Sequence, residues 1–396
     1  MIFQCVLSPN SPSDPIALFP NLSVVKAVTL HHPNTTRPMK THFRLLFSMR
    51  LLLTAGMLAF GTSSLLAQTY AEKLGWPKDK KVVIFHVDDA GMSLESNNGT
   101  FQSLAAGVAT SCSVMMPCPW AGTFIRESKA SEPIDAGLHL VLTSEWKGYR
   151  WEPLAGKSLV PGLHDPEGSF WHTVEQVVAH ASPEEVYIEL KAQIERALAM
   201  GIRPTHMDSH MGTVFAHPEF LKKYIQLGAE YKIPVMFPGG NNVLLEESML
   251  SPVVKKLKSD GKYTEGMELP KPALLQQTTE IGEQIWALGL PVLDDLHSTS
   301  GDWKPEKDMY TPAEHAQYKV EQFKRILNKM QPGLAMIIVH STTHNENFDT
   351  ISGSGRSRQA DLDAMVSPDL KAFIEKNGII LTTWREVMER RQKIDN

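Results

Sequence analysis

The sequence predicts an α/β fold, a mainly parallel sheet flanked by helices. Three observations carry this. From Lys81 onward, short apolar runs alternate with helical stretches, the pattern of repeated β and α units. The helical stretches bring their own start and stop signals. The chemically reactive side chains fall at the C-terminal ends of the apolar runs, the end at which a parallel barrel keeps its active site.

The elements follow in order. "KVVIFHV" (from Lys81) is strand-like, and "LESNNGTFQSLAAG" is a helix ending at Gly107. "ATSCSVMM" and "IDAGLHLVLT" give two more strands, followed by a long segment, 144–181, with Gly, Pro and three tryptophans. "SPEEVYIELKAQIERALAMG" is the clearest helix. Ser182 is the expected N-cap, Pro183 takes the first helical position, and Glu185 completes a capping box. Val186, Leu190, Ile194 and Leu198 form its apolar stripe, and Gly201 ends it. A short strand "THMDSH", a helix from about Pro218 to Tyr231 and a strand "IPVMF" come next. Residues 239–290 show no clean period, and "LPVLDDL" is a further strand candidate. A helix over Pro312–Lys329, the strand "LAMIIVH", a helix around Pro368–Lys376 and the strand "GIILTTW" complete the chain. No short internal repeat or second boundary is visible, so residues 75–390 form one domain with loop insertions.

Of 396 residues, 42% are hydrophobic and 21% charged, with a net charge of −5. That is a globular composition. No Lys/Arg-rich block is present, which argues against a nucleic-acid partner. Residues 51–67, "LLLTAGMLAFGTSSLLA", are uncharged and mostly apolar, preceded by Arg50, Arg44 and Lys40. This is the shape of a secretory signal peptide over 49–67, starting at Met49 and cleaved after Ala67. The alternative is an uncleaved anchor, for which the run is short and carries Gly, Thr and Ser. An exported protein, periplasmic or secreted, is expected. Residues 1–48 have the look of a disordered or mis-assigned extension. Cys112 and Cys118 could pair after export, or stay as two buried thiols.

Four stretches carry chemistry. In "IDAGLHLVLT", period two puts Ile134, Ala136, Leu138, Leu140 and Leu142 on one face and Asp135, Gly137, His139, Val141 and Thr143 on the other. The leucine face suits covering helices, so His139 points into the barrel interior or its mouth. In "THMDSH", His206, Asp208 and His210 share a face. Two imidazoles and a carboxylate are costly to bury unless a divalent cation uses them or they satisfy one another. "MIIVHSTTH" ends a strand in His340, with His344 on a solvated loop. "FHVDDAGMS" ends a strand in two adjacent aspartates. Asp and Gly would suit a plain turn. Alternatively, one aspartate ligates a metal while the other reaches the water beside it, the cation offsetting their repulsion.

"VDDAGMSLESNNGTFQSLAAGVATSCSVMM", "GLHLVLT", "PTHMDSH", "IIVHS" and "RSRQADLDAMVSPDLKAFIEKNGIILTTW" occur in that order. Together they resemble the YdjC-like carbohydrate deacetylases, the family that includes chitooligosaccharide deacetylase. The resemblance covers most of residues 80–385. It implies a distorted (β/α) barrel of mainly parallel strands with loop insertions, and metal-dependent hydrolysis of N-acetyl groups on amino-sugar oligosaccharides. By motif, Asp89, His139 and His210 would hold one divalent ion, Mg2+ or Zn2+. Asp88 would be the general base and His340 a general acid. His206 and Asp208 would support the ligands from behind. Trp146, Trp151 and Arg356 are candidate substrate contacts; Trp146, Trp151 and Trp171 could instead order their loop. The chain departs from the family pattern at His86, where Asn is usual, at "MGTVF" after "DSH", where further histidines are usual, and at Ser341, where Pro is usual. The expected partner is an N-acetylated amino sugar, with no membrane contact after signal cleavage; a homodimer stays open. A glycosidase, or a non-catalytic sugar-binding protein derived from the enzyme, are the alternatives.

Overall fold

The structure, a computed structural model, describes residues 68–130 and 133–394. The extension over 1–48 and the signal peptide over 49–67 lie outside the described residues. Among the described residues, no helix is long and apolar enough to cross a membrane.

Seven parallel strands form one curled sheet: β1 Lys81–Ala90, β2 Ser111–Val114, β3 Ala136–Leu140, β4 Met207–Ser209, β5 Asp295–His297, β6 Gly333–Val339 and β7 Ile380–Leu381. The order is β4-β3-β2-β1-β6-β5, with β7 beside the N-terminal part of β1. Two isolated parallel bridges, Met207 to Val235 and Pro238 to Leu293, link β4 to the β5 side through residues 234–238. Met236 N–H donates to Met207 O at 2.8 Å and Leu293 N–H to Phe237 O at 3.0 Å. The result is a distorted (β/α) barrel in which "IPVMF" contributes single bridges rather than the expected strand. Its Pro234, and Pro238 directly after it, have no N–H to give a ladder.

β1 and β6 are the central pair, in register from Lys81 opposite Gly333 to Val87 opposite Val339. Both are almost wholly buried; β6 is apolar throughout, and β1 is apolar from Val82 to Phe85 before its His86, Asp88 and Asp89. The helix Pro183–Ala199 has the expected capping box, with Ser182 Oγ accepting from Glu185 N–H. It buries Val186, Leu190 and Ile194, but Ala197 rather than Leu198 completes the stripe. A spacing of four residues drifts about 40° per step on a helix of 3.6 residues per turn, so the fourth member leaves the face. The period-free stretch 239–290 holds two helices, Val243–Ser259 and Ala273–Ala287. "GIILTTW" forms only a two-residue strand before a further helix, Trp384–Ile394. Cys112 and Cys118 are free, buried thiols.

Two glycines set how closely elements approach the barrel mouth and interior. Gly137 lies on the interior face of β3, and a Cβ there would sit 2.4 Å from the His206 ring. Gly99, on the helix Leu94–Ala106, lies against the loop after β6, where a Cβ would be 2.5 Å from the Ser341 and Thr342 backbone.

Candidate metal centre

The C-terminal end of β1 does not run straight. Its pairing with β2 shifts register between Val87 and Ala90, and Asp89 adopts φ 66°, a left-handed conformation that a non-glycine residue takes only when its surroundings compensate. The kink brings both aspartates to one imidazole from different sides. Asp88 Oδ1 lies 3.7 Å from His139 Nδ1, and Asp89 Oδ1 lies 3.3 Å from His139 Nε2. Both carboxylates are buried.

His139 projects inward from β3 as its parity predicts. His210 enters from the residue after β4, at the start of a 3-10 turn that Met211 and Gly212 kink with positive φ. Asp89 Oδ1, His139 Nε2 and His210 Nδ1 form a triangle with edges of 3.3, 3.2 and 3.4 Å. Asp89 Oδ1 is buried and accepts no hydrogen bond.

Each corner is held from behind. His139 Nδ1–H donates to Asp208 Oδ1 at 2.6 Å, and His210 Nε2–H donates to Glu145 Oε2 at 3.0 Å. These bonds fix the tautomers, turning Nε2 of His139 and Nδ1 of His210 into the triangle as lone-pair donors. Arg358 Nη1 donates to the other oxygen of Asp89 at 2.6 Å.

The electrostatics call for a cation. Asp88, Asp89, Asp208 and Glu145 set four carboxylates against one guanidinium. Burial works against charge on the His139 imidazole, yet Asp88 and Asp208 drive its pKa well above the ordinary value. Burial is likewise overcome at His210, where Glu145 and Asp89 raise the pKa to about 9. Burial opposes ionisation of Asp89, but the Arg358 guanidinium and the two imidazoles hold its carboxyl well below the usual range. A carboxylate and two imidazoles, with the Asp89 Oδ1 that accepts no hydrogen bond among them, could hold a divalent ion.

The remaining residues singled out in the sequence distribute around this triangle. Asp88 Oδ2 faces His340 Nε2 at 3.9 Å, and a quarter of the His340 side chain is open at the mouth. Burial and Arg358 push the His340 pKa below the usual histidine value. His206 lies beneath, its ring stacked on Trp384 and its Nε2 3.6 Å from Asp208 Oδ2. His344 pairs with Asp349 at 2.8 Å, on the loop side as expected.

The candidate substrate contacts lie in different surroundings. Arg356 is exposed on the helix Gly355–Met365, whereas Arg358 reaches the site. Two helical positions differ by about 200°, so the two arginines face opposite ways. Trp151 is 3% exposed, with its indole N–H donating to Thr143 O and its ring edge-on to His210 at 6.2 Å. Trp171 stacks on His180 and donates to Gly162 O, ordering the loop. Trp146 is half-buried, edge-on to Trp151 and 5.9 Å from the Arg358 guanidinium. Arg358 and Glu145 were not singled out. Arg358 is inside the quoted "RSRQADLDAM", and Glu145 directly follows "GLHLVLTS".

The chain matches the family model described as YdjC-like protein over residues 82–376. The chain belongs to the YdjC-like family. Relatives bear the name carbohydrate deacetylase. One from Thermus thermophilus is 39% identical over 160 residues, covering 40% of this chain and 54% of its own length. One from Brevibacillus brevis is 35% identical, covering 39% of this chain and 59% of its own length. The chain thus aligns with little more than half the length of these two. One from Thermoanaerobacter pseudethanolicus is 22% identical over 77% of this chain and 98% of its own length. A solved structure of a putative cellobiose-phosphate cleavage protein from Enterococcus faecalis shares the fold, with a TM-score of 0.57 at 20% identity, covering 77% of this chain and 98% of that one.

Proposed function

We propose that this chain is a metal-dependent carbohydrate deacetylase that removes N-acetyl groups from amino-sugar oligosaccharides. The triangle of Asp89, His139 and His210 carries the reading. A carboxylate oxygen and two imidazole nitrogens 3.2–3.4 Å from one another would suit a divalent ion, and the two nitrogen donors favour zinc on chemical grounds. Three protein donors leave open coordination, as a catalytic site needs.

A bound ion there supplies Lewis acidity, polarising the acetamide carbonyl and acidifying water. Asp208 and Glu145 hold the imidazoles in ligating tautomers, and Arg358 holds Asp89 by its second oxygen. Asp88 turns Oδ2 toward the mouth and accepts the proton of the attacking water. Burial and Arg358 hold the His340 pKa below the usual histidine value, and from the mouth, 3.9 Å from Asp88, His340 would protonate the leaving amine. Trp146 offers a ring at the rim for a sugar face.

Acetate release from N-acetylated chito-oligosaccharides, with and without a chelator, tests this. Activity lost to chelation and restored by zinc is expected. Activity untouched by complete metal removal overturns the metal-dependent reading. Cleavage of the glycosidic bond would indicate a glycosidase, and zinc binding without turnover a sugar-binding derivative.

A further inference from the structure

Beneath the triangle, His86, His206 and Asp208 form a second fully buried set of donors with metal-ligand spacing. His206 Nε2 is buried, 3.6 Å from Asp208 Oδ2. The hydrogen bonds around His86 decide what fills this place. Ser111 Oγ lies between His86 Nδ1 at 3.1 Å and Asp135 O at 3.3 Å, and a hydroxyl turned to that carbonyl offers its oxygen to a proton on Nδ1. On the other side, His86 Nε2 lies 3.0 Å from Asp208 Oδ2, 3.1 Å from Asp88 Oδ1 and 3.0 Å from Ser113 Oγ. Ser113 Oγ–H is directed to Asp88 Oδ1 at 3.3 Å, which leaves its oxygen to accept. A bare nitrogen lone pair between two carboxylate oxygens would be repelled, so Nε2 carries a proton as well.

We infer that His86 is a fixed imidazolium that takes the place of a second metal ion and acts as a positioning residue for Asp88. With both nitrogens donating, it has no lone pair for a metal. Its charge also closes the balance of the site. Four carboxylates against the Arg358 guanidinium leave three negative charges. One divalent ion and the His86 imidazolium cancel them, once His139 and His210 are neutral ligands. Burial opposes the charge on His86, but its contacts with Asp208 and Asp88 raise its pKa to about 9. His206, edge-on at 4.9 Å between ring centroids, is pushed the other way by burial and stays neutral. His86 thus anchors Asp88 Oδ1 and screens it from Asp208, leaving Oδ2 directed at the mouth.

The role of Asp88 rests on the proposed deacetylase reading; the protonation and metal count do not. The test combines 15N NMR of the zinc-loaded protein at pH 7.5, zinc stoichiometry, and kinetics of His86→Asn. Expected are a His86 ring protonated on both nitrogens and one zinc per chain. His86→Asn should keep its zinc and KM while kcat falls about a hundredfold, the cost of a base displaced by an ångström. A single-proton tautomer at His86 or two zinc ions per chain overturns the inference, even if His86→Asn fails to fold. A folded, zinc-loaded His86→Asn with wild-type kcat overturns the positioning role. Wild-type protein with one zinc and a doubly protonated His86, yet no acetate release, overturns the deacetylase reading and leaves the imidazolium supported.

Discussion

Asp208→Asn isolates the support behind one ligand. Asp208 Oδ1 accepts from His139 Nδ1 at 2.6 Å inside a fully buried site. Short charge-assisted bonds of this kind are about twice as strong as neutral ones. Asparagine keeps the shape but removes the charge, and its amide nitrogen must face either His139 or His86 and His206, where a donor is already present. Loss of a carboxylate behind a ligating imidazole lowers metal affinity about 10–100-fold. That loss is read as stability. At zinc a hundred times the wild-type Kd, the bound ion adds about 2.7 kcal/mol to unfolding free energy; with a hundredfold weaker site the same zinc adds roughly 0.4 kcal/mol. Urea unfolding of both proteins, with and without zinc, measures the difference directly, and each protein's own metal-free state is its reference. Competition with a chromogenic chelator gives the affinity independently. An unchanged zinc increment in Asp208→Asn would show that Asp208 does not orient a metal ligand.

Two predictions concern the fold that carries the site. Glu189 is buried and accepts from Leu154 N–H, Ala155 N–H and Gln193, yet burial raises its pKa to about 7. A carboxyl with a raised folded pKa contributes stability that is full below about pH 4.5 and is lost as pH rises through about 7. The loss is roughly 3 kcal/mol at about 1.4 kcal/mol per pKa unit. Subtracting Glu189→Gln from wild type in urea titrations at pH 5 and pH 8 should expose it; a difference independent of pH refutes it. Gly137→Ala puts a methyl 2.4 Å from the His206 ring, and overpacking of this kind costs about 1–3 kcal/mol. Thermal unfolding checks this, with an unchanged Tm as the contrary result.

Much of this architecture was legible because local rules and tertiary packing agree. The alternation of apolar runs and helices gave the parallel barrel. Period two in "IDAGLHLVLT" put His139 on the interior face, where β3 delivers it to Asp89 at 3.3 Å. The capping box at Ser182 and the left-handed Gly107 fixed helix ends in the expected places. What escaped depends on contacts remote in sequence. Arg358 meets Asp89 across 269 positions, and nothing local marks it over Arg356 until the helix phase is known. Glu145 lies on a loop with no period to orient it. The kink at Asp89 is a tertiary strain that a quoted "DDAG" cannot reveal. The apolar pattern at 233–237 reads as a strand, but the structure keeps only single bridges there and at Pro238, to Met207 and Leu293.

The division of labour between Asp88 and Asp89 is the account's central claim, and a paired measurement tests it most directly. Zinc content and acetate release from an N-acetylated chito-oligosaccharide are determined side by side for purified Asp88→Asn and Asp89→Asn. Asp89→Asn should lose zinc, since it replaces a charged ligand that Arg358 holds in place. Asp88→Asn should keep zinc and KM while kcat falls by about two to four orders of magnitude, because an amide cannot take the proton from water. Near-wild-type turnover in Asp88→Asn, or full zinc retention in Asp89→Asn, would contradict the account and return the pair to a turn at the end of a strand.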